Sequence, residues 1–303
     1  NVNIDFMRIR WISFVVTGAM ILGTGALLMT KGLNWGIDFT GGVVMEVRTD
    51  QPADLAKLRG LFPTSQFGEV MLQHFGDDRE VMLRIPLTGE GEQAKRVEEA
   101  KAAFGKSGYQ VEYRKIDYVG PTVGEELVRK GTIAVILSIL SIVVYVSFRF
   151  EWQFGVGAVV TLLHDFVSVI GFYALTGFEF NLASIAAILT VVGYSINDTV
   201  VVYDRIREMR RKYKKMALPD ILNISINTTL SRTILTAGTT VLAGVALALY
   251  GGEALFGFIT SILFGILVGT YSSIFVSAPL LMYCGLPGGD RNDSATREAG
   301  ATA

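Results

Sequence analysis

The sequence predicts a polytopic α-helical membrane protein with six transmembrane helices and one α+β domain inserted between the first two. Three observations carry this. Half of the 303 residues are hydrophobic and mean hydropathy is +0.43, too apolar for an ordinary soluble domain. Stretches near 20 residues with few charges recur at about 11–29, 131–148, 154–175, 182–203, 233–250 and 255–283, each long enough to cross a bilayer. Between the first and second of them lies a polar segment, 31–130, of roughly 100 residues, enough for a small domain with its own core.

The first span, within residues 1–30, is longer than a signal-peptide core and lacks a small-residue cleavage site before Lys31, so it reads as a retained anchor. In 31–130, strand-like Gly42 to Arg48 is followed by helix-like Ala53 to Leu61. Strands follow at Glu69 to His74 and Glu80 to Ile85, joined at Gly76-Asp77-Asp78, then a helix from Gly91 to Phe104 and a strand from Gln110 to Ile116. The order β-α-β-β-α-β is that of a ferredoxin-like domain. His74 stands there without a Cys or a second His, and neither a phosphate loop nor a dinucleotide fingerprint occurs anywhere. No catalytic constellation, metal site or organic cofactor is expected. The single cysteine, Cys284, excludes an intrachain disulfide.

Residues 131–284 hold the other five spans. Arg205, Arg207, Arg210, Arg211, Lys212, Lys214 and Lys215 crowd the start of the loop expected at 204–232. That bias places the loop in the cytoplasm, and Arg8, Arg10, Arg149, Arg291 and Arg297 agree. Both termini are then cytoplasmic and 31–130 lies outside. The run at 205–215 beside a span favours anionic lipid over nucleic acid. Residues 285–303, Gly-rich and polar, read as a disordered tail.

Inside the spans, polar residues repeat at helical spacing. Thr190, Tyr194, Asn197 and Asp198 share a face of the fourth span, and Arg232, Thr236, Thr239 and Thr240 a face of the fifth. Thr161, Asp165 and Ser168 mark the third, with His164 adjacent. Such faces are expected to turn toward one another. Asp198 carries the argument, because a carboxylate at mid-span costs about 2.5–3.5 kcal/mol and usually marks an ion or proton path. Burial penalises its charge and Arg232 would offset it. Asp198 and Arg232 therefore form either a proton relay, with Asn197, Tyr194, Thr236, Asp165 and His164 in support, or a static pair that sets helix register. Gly257, Ser261, Gly265, Gly269, Ser273 and Ser277 make a small-residue ridge on the sixth span, suited to close helix packing. Pro279 is expected to kink that span.

These residues resemble the SecD/SecF family of bacterial protein-export membrane proteins, on its SecF side. W-G-I-D-F-T-G-G from Trp35 to Gly42, V-G-P-T-V-G from Val119 to Gly124 and F-R-F-E-W from Phe148 to Trp152 carry the likeness. His164-Asp165, the segment Gly193 to Glu208 and S-R-T at Ser231 to Thr233 extend it. The resemblance implies membership of the resistance-nodulation-division superfamily and a place in the bacterial cytoplasmic (inner) membrane, with 31–130 periplasmic. It also implies SecD, the SecY-E-G channel and YajC as partners, unfolded preprotein as substrate and protons as the coupling ion. Within it, the proton-linked carboxylate falls on Asp198 and the intramembrane arginine on Arg232. No SecD-like half is present in this sequence. Two other readings stand beside protein export: half of a small-molecule or lipid exporter of the same superfamily, and an assembly scaffold without ion flux.

Overall fold

The computed structural model describes residues 3–286 apart from 76, 88 and 90. Gly76 of the expected turn, Arg291, Arg297 and nearly all of the expected tail lie outside the described residues. In chain order the elements are α1 (Arg10–Thr30), β1 (Asn34–Trp35), α2 (Ile37–Thr40), β2 (Gly42–Thr49), α3 (Leu55–Arg59), α4 (Thr64–Phe67), β3 (Met71–Phe75), β4 (Asp77–Ile85), α5 (Gln93–Gly105) and β5 (Val111–Val119). They continue with α6 (Pro121–Arg149), α7 (Trp152–Thr176), β6 (Glu179–Phe180), α8 (Leu182–Lys212), α9 (Leu218–Tyr250) and α10 (Glu253–Ser272). A π-helical stretch, Ser273–Ser277, and α11 (Ala278–Leu280) close the series. Six helices are long and apolar enough to cross a membrane: α1, α6, α7, α8, α9 and the run through α10 to α11.

Two compact units share these elements, one made of residues 34–134 with 179–185, the other of the rest. In the first, β2, β3, β4 and β5 form an antiparallel sheet in the order β3-β4-β2-β5. That order, with α3 and α5 in the two crossovers, is the ferredoxin-like topology expected from the strand and helix pattern. The period of two explains the core. Val43, Met45 and Val47 of β2 and Val81, Leu83 and Ile85 of β4 point to one face, where they pack with Leu58, Phe62, Phe67, Ala100 and Phe104. Asp54 caps α3 by accepting the Ala56 and Lys57 amides. The short parallel pair β1 and β6 adds the stretch between the third and fourth spans to this unit. Nothing in the local pattern of residues 179–185 announces that.

Two expected boundaries move. The second span, expected over 131–148, is the end of a helix that begins at Pro121, a proline suited to a first turn. Glu125, Glu126, Arg129 and Lys130 lengthen that helix rather than stop it, with Glu126 and Lys130 paired at 2.8 Å across one turn. The basic loop expected at 204–232 shrinks likewise, because α8 runs to Lys212 and α9 starts at Leu218. The basic residues up to Lys212 are therefore helical. Arg149 meets Asp204 at 2.8 Å and Arg210 meets Glu151 at 3.2 Å, so part of that charge is compensated within the protein.

In the helical unit α1 packs on α7, and α10 on both α7 and α9. An apolar cluster of Phe150, Phe154, Tyr203, Ile206, Ile221, Leu222, Ile226, Ala278 and Leu281 gathers the basic ends of these helices. Before Pro279, where a kink was expected, the sixth span widens into the π-helical stretch Ser273–Ser277. A proline has no N–H for the carbonyl four residues back, and a wide turn accommodates the missing bond.

Candidate intramembrane functional site

Helix position decides which polar residues are inside. The apolar windows of α1, α6 and α9 are 11% buried, against 56% for α7, 44% for α8 and 56% for the sixth span. The interior of this unit is thus made mainly by α7, α8 and α10; the first half of α9 joins it through Ile221, Leu222 and Ile226, whereas its apolar window stays largely outside.

Asp165 on α7 is fully buried. Its Oδ2 accepts the hydroxyls of Ser195 on α8 and, at 2.9 Å, Ser272 on α10. His164 Nδ1 lies 3.0 Å from its Oδ1. Three spans therefore meet on one carboxylate. His164 is itself buried, and its Nε2 finds no hydrogen-bond partner. Its ring lies 6.1 Å from that of Tyr271, whose hydroxyl donates to the Ser13 carbonyl at 2.8 Å and meets the Thr17 hydroxyl at 3.3 Å. A ring contact rather than a hydrogen bond therefore links this group to the Tyr271 bonds to α1.

Asp198 lies one helical turn beyond Ser195 on the buried side of α8. It is 3% exposed, and among the described residues Oδ2 has no hydrogen-bond partner; the hydroxyls of Tyr194 and Thr199 beside it are buried and unpaired in the same sense. Arg232 is the charge that bears on Asp198, but it is exposed on α9 and forms no ion pair within 4 Å among the described residues. The expected Asp198–Arg232 contact is not made in this structure.

The expected polar faces are corrected in two respects. On α8, Thr190 and Asn197 are exposed, and Ser195, Asp198 and Thr199 make the buried polar edge. On α9, the hydroxyls of Thr236, Thr239 and Thr240 return to carbonyls of their own helix, and Thr239 and Thr240 are exposed. A threonine that satisfies itself one turn back does not require a polar neighbour, so spacing alone overstated that face. Ser195 and Ser272 were missed. Ser272 lies beside the small-residue ridge, and a serine reads equally well as a packing residue or as a hydroxyl donor until its neighbour is known.

The ridge itself packs as expected. A Cβ on Gly265 would collide with the Val191 side chain, and one on Gly269 would come within 3.0 Å of Ser195 Cβ. Both glycines therefore bring α10 close to α8, and Gly269 does so beside the Asp165 hydrogen bonds. Chemically, among the described residues the site offers one carboxylate that accepts two hydroxyls beside an imidazole, one buried carboxylate with an open oxygen, and an imidazole with an open nitrogen. Among the described residues there is no His/Cys/Asp/Glu cluster fit to hold a metal ion.

Comparison with known proteins supplies a context. Residues 99–286 match the family described as protein export membrane protein SecD/SecF, C-terminal, and residues 26–53 match the SecD/SecF GG motif. A protein translocase subunit SecF of Rickettsia akari is 48% identical over 93% of this chain and 92% of its own length. The subunit of that name from Rickettsia felis is 47% identical over the same shares. The crystal structure of SecDF, a translocon-associated membrane protein from Thermus thermophilus, superposes with a TM-score of 0.85 at 36% identity. That match covers 93% of this chain and 39% of the other. A structure of SecDF in a super-membrane-facing form gives a TM-score of 0.70 at 34% identity, over 99% and 40% of the two chains.

Proposed function

The chain belongs to the SecD/SecF family of protein-export membrane proteins, and from that premise we propose that it is an accessory subunit of the bacterial Sec translocon. In this reading it works with a SecD-type partner to draw unfolded preprotein across the cytoplasmic membrane late in translocation, using the proton-motive force. Protons are the coupling ion and Asp198 the group that carries them. One observation supports this above the rest: a carboxyl buried inside a membrane helix with an oxygen that no group among the described residues satisfies.

The magnitudes are consistent. Holding the ionised form there costs about 2.5–3.5 kcal/mol, and one charge crossing 100 mV gains about 2.3 kcal/mol. The membrane potential is thus of the size needed to bias the charge state of one such group. Arg232, exposed on α9, would stabilise the ionised form if the two helices approached, and Asn197, Tyr194 and Thr236 would line the route. His164 and Asp165 sit in the adjoining network.

The SecD-type partner has its own support. Asn197 and Arg232 are exposed on membrane helices, where lipid cannot satisfy them. A second membrane subunit would, and the fused relatives carry additional chain beyond the part that matches this one. SecY-E-G and YajC enter through the family. The basic surface at the end of α8 fits anionic lipid on the cytoplasmic side, with both termini there and residues 31–130 in the periplasm.

Preprotein translocation into membrane vesicles, with and without a proton gradient and at matched expression, tests the reading. Asp198→Asn should abolish the gradient-dependent part and leave the remainder. A variant indistinguishable from wild type would leave a scaffold without ion flux, a role that the fully hydrogen-bonded Asp165 already fits.

A further inference from the structure

Asp198 is carried by α8, and the first turn of α8 is held by the ferredoxin-like domain. Residues 179–185 belong to the same compact unit as residues 34–134. Asn34 and Trp35 pair with Glu179 and Phe180, and the Gly36 amide donates to the Phe180 carbonyl at 2.8 Å. Glu179 Oε2 lies 2.5 Å from Arg84 Nη2. Arg84, on β4, is 7% exposed, and its Nη1 also donates to Asn34 Oδ1 at 2.9 Å and to the Trp35 carbonyl at 3.1 Å. Trp35, Phe39 and Phe180 pack ring against ring.

Asp38 completes the joint. Its Oδ2 accepts the amide of Leu182, the first residue of α8, at 2.9 Å. Asn181 caps the same turn, its Oδ1 accepting the Ser184 amide while the Ser184 hydroxyl accepts the Asn181 amide, both at 3.1 Å. A carboxylate suits this place, because the opening turn of a helix presents free N–H groups and a positive dipole end. Two glycines of W-G-I-D-F-T-G-G allow close approaches within this domain. A Cβ on Gly36 would come within 2.6 Å of Glu179 Oε1, and Gly42, at φ +138°, would put one within 2.8 Å of the Ile85 carbonyl oxygen. Trp35, Gly36, Asp38 and Phe39 of the motif thus lie against residues 179–182, where the Asp198 helix starts.

We propose that Asp38 and Glu179 are positioning residues that fasten the ferredoxin-like domain to the N-terminal turn of α8, so that the state of the domain and the state of Asp198 are coupled along one continuous helix. Leu182 and Asp198 are about 24 Å apart along that helix at 1.5 Å per residue. Coupling through such an element is reciprocal: what biases one end biases the other. The inference rests on the proton-linked role of Asp198.

The test uses the full chain with its SecD-type partner in membrane vesicles, reading gradient-dependent and gradient-independent translocation separately. Asp38→Ala removes the acceptor, and the gradient-dependent part should fall about fivefold, the scale set by losing one helix cap. The gradient-independent part and the amount of chain should hold. Asp38→Asn keeps an oxygen acceptor and should stay within about twofold of wild type. Leu182→Pro removes the donor at a position where a helix accepts proline, so it should reproduce the Asp38→Ala loss even if that variant accumulates poorly. The double variant should be no worse than either, since both delete the same bond. Additive losses, or a full gradient-dependent part in Asp38→Ala and Leu182→Pro, would overturn the joint. Asp198→Asn in the same vesicles separates the two failures: if it alone loses the gradient-dependent part, only the joint is wrong, and if it too is silent, the proton-linked reading is wrong.

Discussion

Asp165 and Asp198 are carboxylates in neighbouring spans with opposite surroundings. Asp165 accepts two serine hydroxyls and faces an imidazole, whereas Asp198 has an oxygen with no partner. A hydrogen-bonded charge is held in place, and an unsatisfied one is driven to change its protonation or its neighbours. That contrast fits a holding role for Asp165 and is the ground for proposing proton carriage by Asp198. Ser272→Ala should therefore destabilise the chain by about 1.5–3 kcal/mol, the worth of one hydrogen bond to a buried charge. Thr239→Ala, whose hydroxyl is exposed and serves only its own helix, should stay within about 0.5 kcal/mol. Unfolding in detergent micelles compares the two, and equal effects would deny Asp165 its role as a pin. Asp198 stood out in the sequence because its charge is costly wherever it sits in a span. The surroundings of Asp165 did not, because its donors are serines from two other helices.

Helix-to-helix contact is set at single glycines. Gly265 meets the Val191 side chain, whereas a Cβ on Gly193, on α8 itself, would have nothing within 4 Å. Gly265→Ala should cost about 1–3 kcal/mol through overpacking. Gly193→Ala should instead stabilise α8 by about 0.5–1 kcal/mol, since glycine in a helix interior carries an entropic cost. Thermal unfolding of the two variants in the same detergent checks the opposite signs. The four-residue spacing of the ridge was enough to expect close packing, but not to name α8 as the neighbour. Element ends were less legible. Residues 121–130 are too polar to read as part of a span, yet they are helical, because a helix leaving the bilayer keeps its own hydrogen bonds in water and there carries its charges without penalty.

Across the molecule, charge predicts sidedness. In a Cys284→Ser background, a cysteine at Lys106 should react with a membrane-impermeant maleimide from the periplasmic side. One at Lys214 should react only after the membrane is opened. The reverse pattern would invert the topology and place the domain in the cytoplasm. Six spans and the β-α-β-β-α-β domain were determined by the sequence itself, which also singled out Asp198 as the costly charge. Each follows from a property of a continuous stretch: apolar length, side-chain period, or the cost of one charge in lipid. Tertiary structure alone decided that the apolar window of α9 stays largely outside the interior, that Ser195 and Ser272 converge on Asp165, and that residues 179–185 belong with a domain begun at Asn34. These depend on which faces of distant segments meet. Serine, threonine and glycine satisfy the same local pattern whether they face lipid, a carboxylate or another helix, so only the packed chain distinguishes among those roles.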